Sequence, residues 1–176
     1  MITVIGLDLS LTSTGICVDG VAESLSSQLK GVERLADLAE QVCERVSSTP
    51  HAVVCVEGYS FGSRNSQAHA IGELGGVVRY RLWQLGIPVV DIPPTCRAKF
   101  ATGRGNAGKD EVVSAISART GIVWAGKGAN DRCDAWILEQ MGLAYIGKSH
   151  YDWPEDNLSS LKKIDWEDLE KMMRSS

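Results

Sequence analysis

The chain has 176 residues, of which 44% are hydrophobic and 23% charged, and this suits one compact domain with a buried core better than two domains. No apolar run approaches the roughly 20 residues needed to cross a bilayer, and the first residues lack a basic leader, so we expect a cytoplasmic protein without membrane contact. The five scattered cysteines form no CxxC pair, which favours reduced thiols over disulfides or a zinc site.

Charge is unevenly distributed along the chain. The net charge of -4 is unfavourable, as an average, for a protein that binds the phosphates of a nucleic acid. Residues 60–109, however, contain seven basic side chains and two acidic ones, a local excess of five positive charges. This segment is therefore the candidate for phosphate contact, and the acidic excess lies elsewhere.

The N-terminal part of the chain predicts three strands and a helix. Apolar, β-branched runs predict strands over Ile2 to Leu9 and Gly15 to Val18, with a weaker third strand in Ala22 to Leu29. The turn pair Asp19-Gly20 after the second run favours an antiparallel meander. Apolar residues at helical spacing then predict a helix from about Gly31 to Val46.

A strand, a helix and a further strand follow at the spacing of a βαβ unit. The run from His51 to Val56 is uninterruptedly hydrophobic, which indicates a central strand covered on both faces and parallel to the first. A helix is predicted from about Asn65 to Leu85. The next strand, Ile87 to Ile92, is terminated by Pro93-Pro94.

The remaining sequence predicts a loop, two helices and a tail. The segment Thr95 to Lys109, rich in glycine and basic residues, is expected to be irregular. Helices are predicted over Lys109 to Arg119 and Asn130 to Tyr145, the second capped by Asn130 or Asp131.

We divide the chain into a catalytic domain, residues 1–147, and a C-terminal tail, residues 148–176. Apolar residues recur among alternating charges in the tail, a pattern that is typical of a packed or partner-binding helix. Trp83, Trp124 and Trp136 stand at positions more typical of the core than of a surface that stacks nucleic-acid bases.

Four acidic residues stand where polar groups are unexpected. Asp8 interrupts the first apolar strand, and Glu57 ends the central one. Asp131 and Asp134 are three residues apart at the start of a helix, which puts both carboxylates on one helical face. If the first and central strands are parallel neighbours, all four acids can meet at the carboxyl edge of the sheet.

Clustered carboxylates repel one another unless they are protonated or neutralised by a cation, and their hard oxygen atoms select Mg²⁺ or Mn²⁺. Two such ions in one site can activate water and stabilise the leaving oxygen of a phosphodiester, which is nuclease chemistry. Taken singly, each acid is also compatible with an ordinary role as a turn former or as a favourable charge at a helix N-terminus.

Motifs in the chain also occur in a characteristic order. Gly6 to Gly15 contains an aspartate followed by a Ser/Thr-rich turn, Val56-Glu57 precedes Arg64-Asn65, Gly103 to Val112 has the form GxGxAxKxxV, and Asp131 to Ala135 has the form DxxDA. In this order the motifs resemble those of the RuvC family of Holliday-junction resolvases. The resemblance extends from Gly6 to about Gly142.

This resemblance implies a ribonuclease-H-like α/β fold, with a mixed five-stranded sheet of an antiparallel meander plus parallel strands, flanked by helices. It implies an endonuclease that resolves four-way or branched DNA by paired symmetric nicks. Asp8, Glu57, Asp131 and Asp134 would be the catalytic metal ligands and Lys109 a catalytic phosphate contact. Further residues are expected to contact DNA, together with Lys109: Tyr59, Phe61, Arg64, Asn65, Arg97, Lys99 and Arg104.

The predicted second helix contains Gly72, Gly75 and Gly76, which permit close approach of another element. Packing on the sheet is one explanation, but the resemblance implies that this helix joins two subunits in a C2 dimer. Two alternatives remain open: a nuclease of the same fold that cleaves RNA or RNA–DNA hybrids, and a non-catalytic nucleic-acid-binding module.

Overall fold

The computed structural model describes residues 1–58 and 66–175. Within these residues a single five-stranded sheet has the strand order β3-β2-β1-β4-β5. β1 pairs antiparallel with β2 and parallel with β4, β2 pairs antiparallel with β3, and β4 pairs parallel with β5. The mixed sheet predicted from the sequence is thereby confirmed. The strands β1 to β5 are Thr3–Asp8, Thr14–Val18, Val21–Leu25, Ala52–Glu57 and Val89–Ile92.

Helices cover both faces of the sheet. α1 and α2 pack on one face, whereas α5, α3, α4 and the C-terminal helices lie over the other. Side chains alternate along β1, with Val4 in the core under α5 and Ile5 in the core under α1. The helices α1 to α7 are Gly31–Ser47, Ser66–Gln84, Pro94–Thr102, Lys109–Thr120, Ala129–Tyr145, Glu155–Leu158 and Glu167–Ser175.

Two glycines allow α5 to lie directly against the sheet. A Cβ atom on Gly6 of β1 would fall 1.8 Å from the carbonyl oxygen of Ala135. A Cβ atom on Gly15 of β2 would fall 2.0 Å from the carbonyl oxygen of Asp131. Both distances are far inside van der Waals contact, so only glycine fits at these positions. The close approach brings the first turns of α5 to the end of β1.

The segment after β5 differs from its prediction. Thr95 to Lys109 was expected to be irregular, but Pro94–Thr102 forms α3, and only the stretch from Gly103 to Gly108 lies between helices. Pro94 occupies the first turn of the helix, where a missing N–H costs nothing and the fixed φ is already helical. Gly103, at φ 83°, ends the helix in the left-handed region.

The start of α5 also differs from the prediction. The helix begins at Ala129 after Gly128, so neither Asn130 nor Asp131 caps it, and both lie inside its first turn. Asp8 is likewise the last residue of β1 and does not interrupt the strand. Trp83 does not belong to the core, because 73% of its surface is exposed.

The C-terminal tail folds back onto the domain. Trp153 packs on Phe100 of α3 with ring centroids 4.2 Å apart, and Trp166 stacks on Tyr145 of α5 at 4.3 Å. Asn157 donates a hydrogen bond of 2.7 Å to the carbonyl oxygen of Phe100. The tail thereby holds α3 in place. None of the helices in the described part of the chain has the length and apolar character of a membrane-spanning segment.

Glu139 of α5 is a buried carboxylate outside the acidic cluster. It accepts hydrogen bonds from the backbone N–H of Gly20 at 2.9 Å and from the Cys17 thiol at 3.3 Å. Burial raises the pKa of Glu139 above its usual value of 4.5, despite these hydrogen bonds. The folded chain therefore binds this proton more tightly than the unfolded chain does.

A pH dependence of stability follows from this shift. Because the pKa of Glu139 is higher in the folded state, its contribution to stability is present below pH 4.5 and is lost as the pH rises through the raised value. We expect Glu139→Gln to reduce the fall in the free energy of unfolding between pH 4.5 and neutral pH, measured by urea denaturation. The exposed Glu44→Gln is the control. An identical slope in wild type and Glu139→Gln would contradict the expectation.

Candidate active site

The sheet topology brings two of the predicted acids to one edge. Leu7 of β1 pairs with Val56 of the parallel strand β4, so Asp8 and Glu57 end neighbouring strands. Both follow the side-chain alternation that faces α5. The carboxyl edge of parallel strands is where open α/β sheets place their functional groups.

α5 contributes the other two acids. Asp134 lies on its second turn and is buried, with 8% of its side chain exposed, and Asp131 lies half-buried on its first turn. The charges of Glu57, Asp134 and Asp131 all act on Asp8. Four carboxylates from three separate parts of the sequence therefore form one cluster, which we call the acidic cluster: Asp8, Glu57, Asp131 and Asp134.

A buried arginine lies inside the acidic cluster. Arg97 of α3 donates from Nε to Glu57 Oε2 and from Nη1 to Asp134 Oδ1. Only 10% of its side chain is exposed, so the guanidinium is buried with its two partners. Arg97 was expected to contact DNA, and the structure places it among the carboxylates.

The pKa values reflect this crowding of charge. Burial raises the pKa of Asp8 well above its usual range, and the charges of Glu57 and Asp134 raise it further. Burial also raises the pKa of Asp134 to about 6, against the opposing effect of Arg97. Burial lowers the pKa of Arg97, but Glu57 and Asp134 together outweigh this and raise it above its usual value. The cluster thus favours a bound cation, and Arg97 stays protonated.

The donor atoms suit a hard divalent ion, although they are already partly engaged. All four side chains offer carboxylate oxygens, the donors that Mg²⁺ and Mn²⁺ prefer. Across residues 1–58 and 66–175, no three histidine, cysteine or acidic side chains are arranged as a ready metal site. Two of the carboxylate oxygens accept hydrogen bonds from Arg97.

Lys109 stands beside the cluster at the first residue of α4. Its side chain is exposed, and its charge lowers the pKa of both Asp131 and Asp134. A cation is therefore available at the solvent side of the carboxylates. The cluster and Lys109 together provide oxygen ligands and a positive charge at one open edge.

The other predicted DNA contacts have varied positions. Arg104 is exposed and pairs with Glu111, whereas Lys99 is half-buried on α3. The four contacts predicted between β4 and α2 lie outside the described residues: Tyr59, Phe61, Arg64 and Asn65.

Sequence reasoning missed the position of Arg97 because it missed α3. Once Pro94 is recognised as the first turn of a helix, Arg97 falls among Cys96, Ala98 and Phe100, all of which are buried. An arginine within a buried helical segment requires a partner of opposite charge, which was the available signal.

Comparison of the sequence with known proteins finds similarity to RuvC proteins. No family model matches the sequence. The chain is 31% identical to the crossover junction endodeoxyribonuclease RuvC of Synechococcus sp. strain WH7803 over 97 residues, 55% of this chain and 62% of the relative. It is 31% identical to the RuvC of Synechococcus sp. strain CC9311 over 84 residues, 48% of this chain and 52% of the relative. The chain thus spans between half and two thirds of the length of these relatives.

Solved structures show the same fold. The structure described as T. thermophilus RuvC in complex with Holliday junction substrate superposes with a TM-score of 0.64 at 23% identity, covering 88% of this chain and 100% of that one. A second Thermus thermophilus RuvC structure gives a TM-score of 0.63 at 23% identity over 87% of this chain and 100% of that one. By sequence the chain is similar to RuvC crossover junction endodeoxyribonucleases over part of their length, and it has the fold of the two RuvC structures.

Proposed function

We propose that the chain is a metal-dependent endodeoxyribonuclease that resolves four-way or branched DNA junctions by paired nicks. The observation that carries this proposal is the meeting of Asp8, Glu57, Asp131 and Asp134 at the carboxyl edge of the sheet, beside Lys109. Relatives named as crossover junction endodeoxyribonucleases, and a fold neighbour in complex with a Holliday junction, support the choice of substrate.

The acidic cluster would hold Mg²⁺ or Mn²⁺, with two ions per site as the sequence predicts. When bound, such ions activate water and stabilise the leaving oxygen of a phosphodiester. Lys109 would bind the phosphate beside the scissile bond, because it is the exposed cation next to Asp131 and Asp134. We assign this activity to residues 1–147, in the cytoplasm.

DNA would approach the open edge of the cluster. Exposed Arg104 and half-buried Lys99 are proposed to contact its backbone. Tyr59, Phe61, Arg64 and Asn65 stay predicted DNA contacts from the sequence. Arg97 is assigned to the carboxylates, since it is buried between two of them.

A dimer through α2 would supply the second active site. Leu74, Val78 and Leu82 bury one side of this helix in the core. On the other side Tyr80 and Trp83 are 57% and 73% exposed, and their rings stack with centroids 6.1 Å apart. Gly76 stands one turn before Tyr80, and a Cβ atom on it would meet nothing within 4 Å. An exposed aromatic pair beside a small residue suits the core of a protein interface.

A comparison of substrates tests the proposed function. Purified protein is incubated with a four-way junction, a flap, a linear duplex and an RNA–DNA hybrid of matched sequence, each with Mg²⁺, with Mn²⁺ and with a chelator. We expect junction cleavage that requires the ion and gives ligatable products. Preferred cleavage of the hybrid would favour the ribonuclease alternative, and binding without cleavage of any substrate would favour the non-catalytic module.

Lys109→Ala is expected to slow cleavage by about 10-fold or more while it weakens junction binding much less. A single cation at the scissile phosphate acts chiefly on charge that develops in the transition state. Single-turnover rates and electrophoretic binding constants separate the two effects. Arg104→Ala, which removes an exposed cation paired with Glu111, serves as the control for loss of a backbone contact. Equal losses of rate and binding in Lys109→Ala would make this lysine an ordinary backbone contact.

A further inference from the structure

We propose that Arg97 is an internal cation that competes with divalent ions for Glu57 and Asp134, so that the chain binds its metal more weakly with this arginine than without it. This inference rests on the proposed function only in that a divalent ion uses the acidic cluster. The inference concerns the cation that neutralises the carboxylates when no metal is bound.

The geometry gives Arg97 two of the oxygens that a metal would need. Its Nε binds Glu57 Oε2 on β4, and its Nη1 binds Asp134 Oδ1 on α5. One guanidinium therefore bridges two elements of the cluster with separate N–H groups. A cation coordinated by these oxygens would compete with the guanidinium for their lone pairs and would lie close to its positive charge.

Burial strengthens the interactions of Arg97 with Glu57 and Asp134 enough to affect metal binding. The side chains of Arg97 and Asp134 are 10% and 8% exposed, so their charges are poorly screened by water. Removing one member of a buried pair leaves an uncompensated charge, whereas replacing the guanidinium by a divalent ion leaves the carboxylates neutralised. Arg97 thus stabilises the metal-free cluster, and by linkage it must weaken metal binding to the same oxygens.

Contacts with the tail and the link to β5 fix the backbone of Arg97, which leaves its side chain as the part that moves. The tail holds α3 through the hydrogen bond from Asn157 to the carbonyl of Phe100 and through Trp153 on the Phe100 ring. α3 also begins directly after β5, which pairs with β4. We therefore expect the guanidinium, and not the helix, to move when a metal binds.

The test is calorimetric titration of the full chain with Mn²⁺ in the absence of DNA. Arg97→Gln is expected to bind Mn²⁺ at least about 10-fold more tightly than the wild type, which is about 1.4 kcal/mol. The same variant should unfold at lower temperature in chelator, and the deficit should shrink as Mn²⁺ is added. Arg97→Lys should fall between the two, because an ammonium is a point charge that lacks the planar fork of N–H donors.

The matched control is Arg45→Gln, which removes an exposed arginine paired with Glu23 at 2.7 Å and should leave Mn²⁺ affinity unchanged. Mn²⁺ affinity in Arg97→Gln that is equal to or weaker than in wild type would overturn the proposal and make Arg97 a residue that positions the acids for the metal. If Arg97→Gln does not fold, Arg97→Lys gives the same decision. Junction cleavage by the wild type is measured separately, so failure of the proposed nuclease function is distinguishable from failure of this inference.

Discussion

The Asp8→Asn variant is expected to lose cleavage by at least about 100-fold while its affinity for a four-way junction stays the same or increases. Asp8 ends β1 at the centre of the acidic cluster, where the charges of Glu57, Asp134 and Asp131 all act on it. An amide of the same shape removes one proposed anionic metal ligand, and loss of one electrostatic group of this kind costs about 100-fold or more in rate. It also removes a negative charge that repels phosphate. Cleavage is measured in single turnover with Mg²⁺, and binding is measured with Ca²⁺ in its place.

Glu57→Gln should behave in the same way, because Glu57 ends the neighbouring parallel strand. Asp152→Asn is the matched control, since it makes the same chemical change at an exposed position of the tail. Full activity of Asp8→Asn, or junction turnover by the wild type in chelator, would refute the metal mechanism.

The second large effect concerns symmetry. Gly76→Glu is expected to raise the dissociation constant of the proposed dimer by about 10- to 100-fold, or about 1.4–2.7 kcal/mol. Gly76 faces open space in the single chain, so the new side chain fits the monomer and meets an obstacle only if α2 contacts a partner. In a dimer with two-fold symmetry, the new glutamate of one chain would also face the same glutamate of the other chain, and the like charges would repel each other. Analytical ultracentrifugation measures the dissociation constant, and a junction labelled on two strands measures the pairing of nicks.

Ala118→Glu is the matched control, because it adds the same side chain at an exposed position of α4. Thermal unfolding of Gly76→Glu serves as the folding check. A dimer that persists in Gly76→Glu, with nicks still paired, would exclude α2 as the interface. A wild-type chain that stays monomeric on the junction and makes independent nicks would exclude the resolvase function and leave nuclease chemistry in place.

Strands and helices with a distinct hydrophobic pattern could be predicted from the sequence. β1 and β4 were predicted to within one or two residues at each end, because uninterrupted apolar runs have few alternatives to a buried strand. β3 ended earlier than expected, at Leu25, since few buried side chains mark an edge strand. α3 was missed because a proline pair that ends a strand can equally begin a helix. Which of the two occurs depends on what the following residues pack against.

The sequence alone determined which acids stand in unexpected places, because hydrophobic pattern and side-chain period are local properties. It predicted that Asp8 and Glu57 meet only on the condition that their strands are parallel neighbours, and the pairing of β1 with β4 meets that condition. Only the tertiary structure decided what shares their site. Arg97 is 40 residues from Glu57 and 37 from Asp134 in the chain, and no local pattern connects residues so far apart. Its place among the carboxylates depends on how α3 packs against α4, α5 and the tail. Arg97, which the sequence places in a basic segment predicted to contact DNA, is in the fold a counter-ion of the acidic cluster.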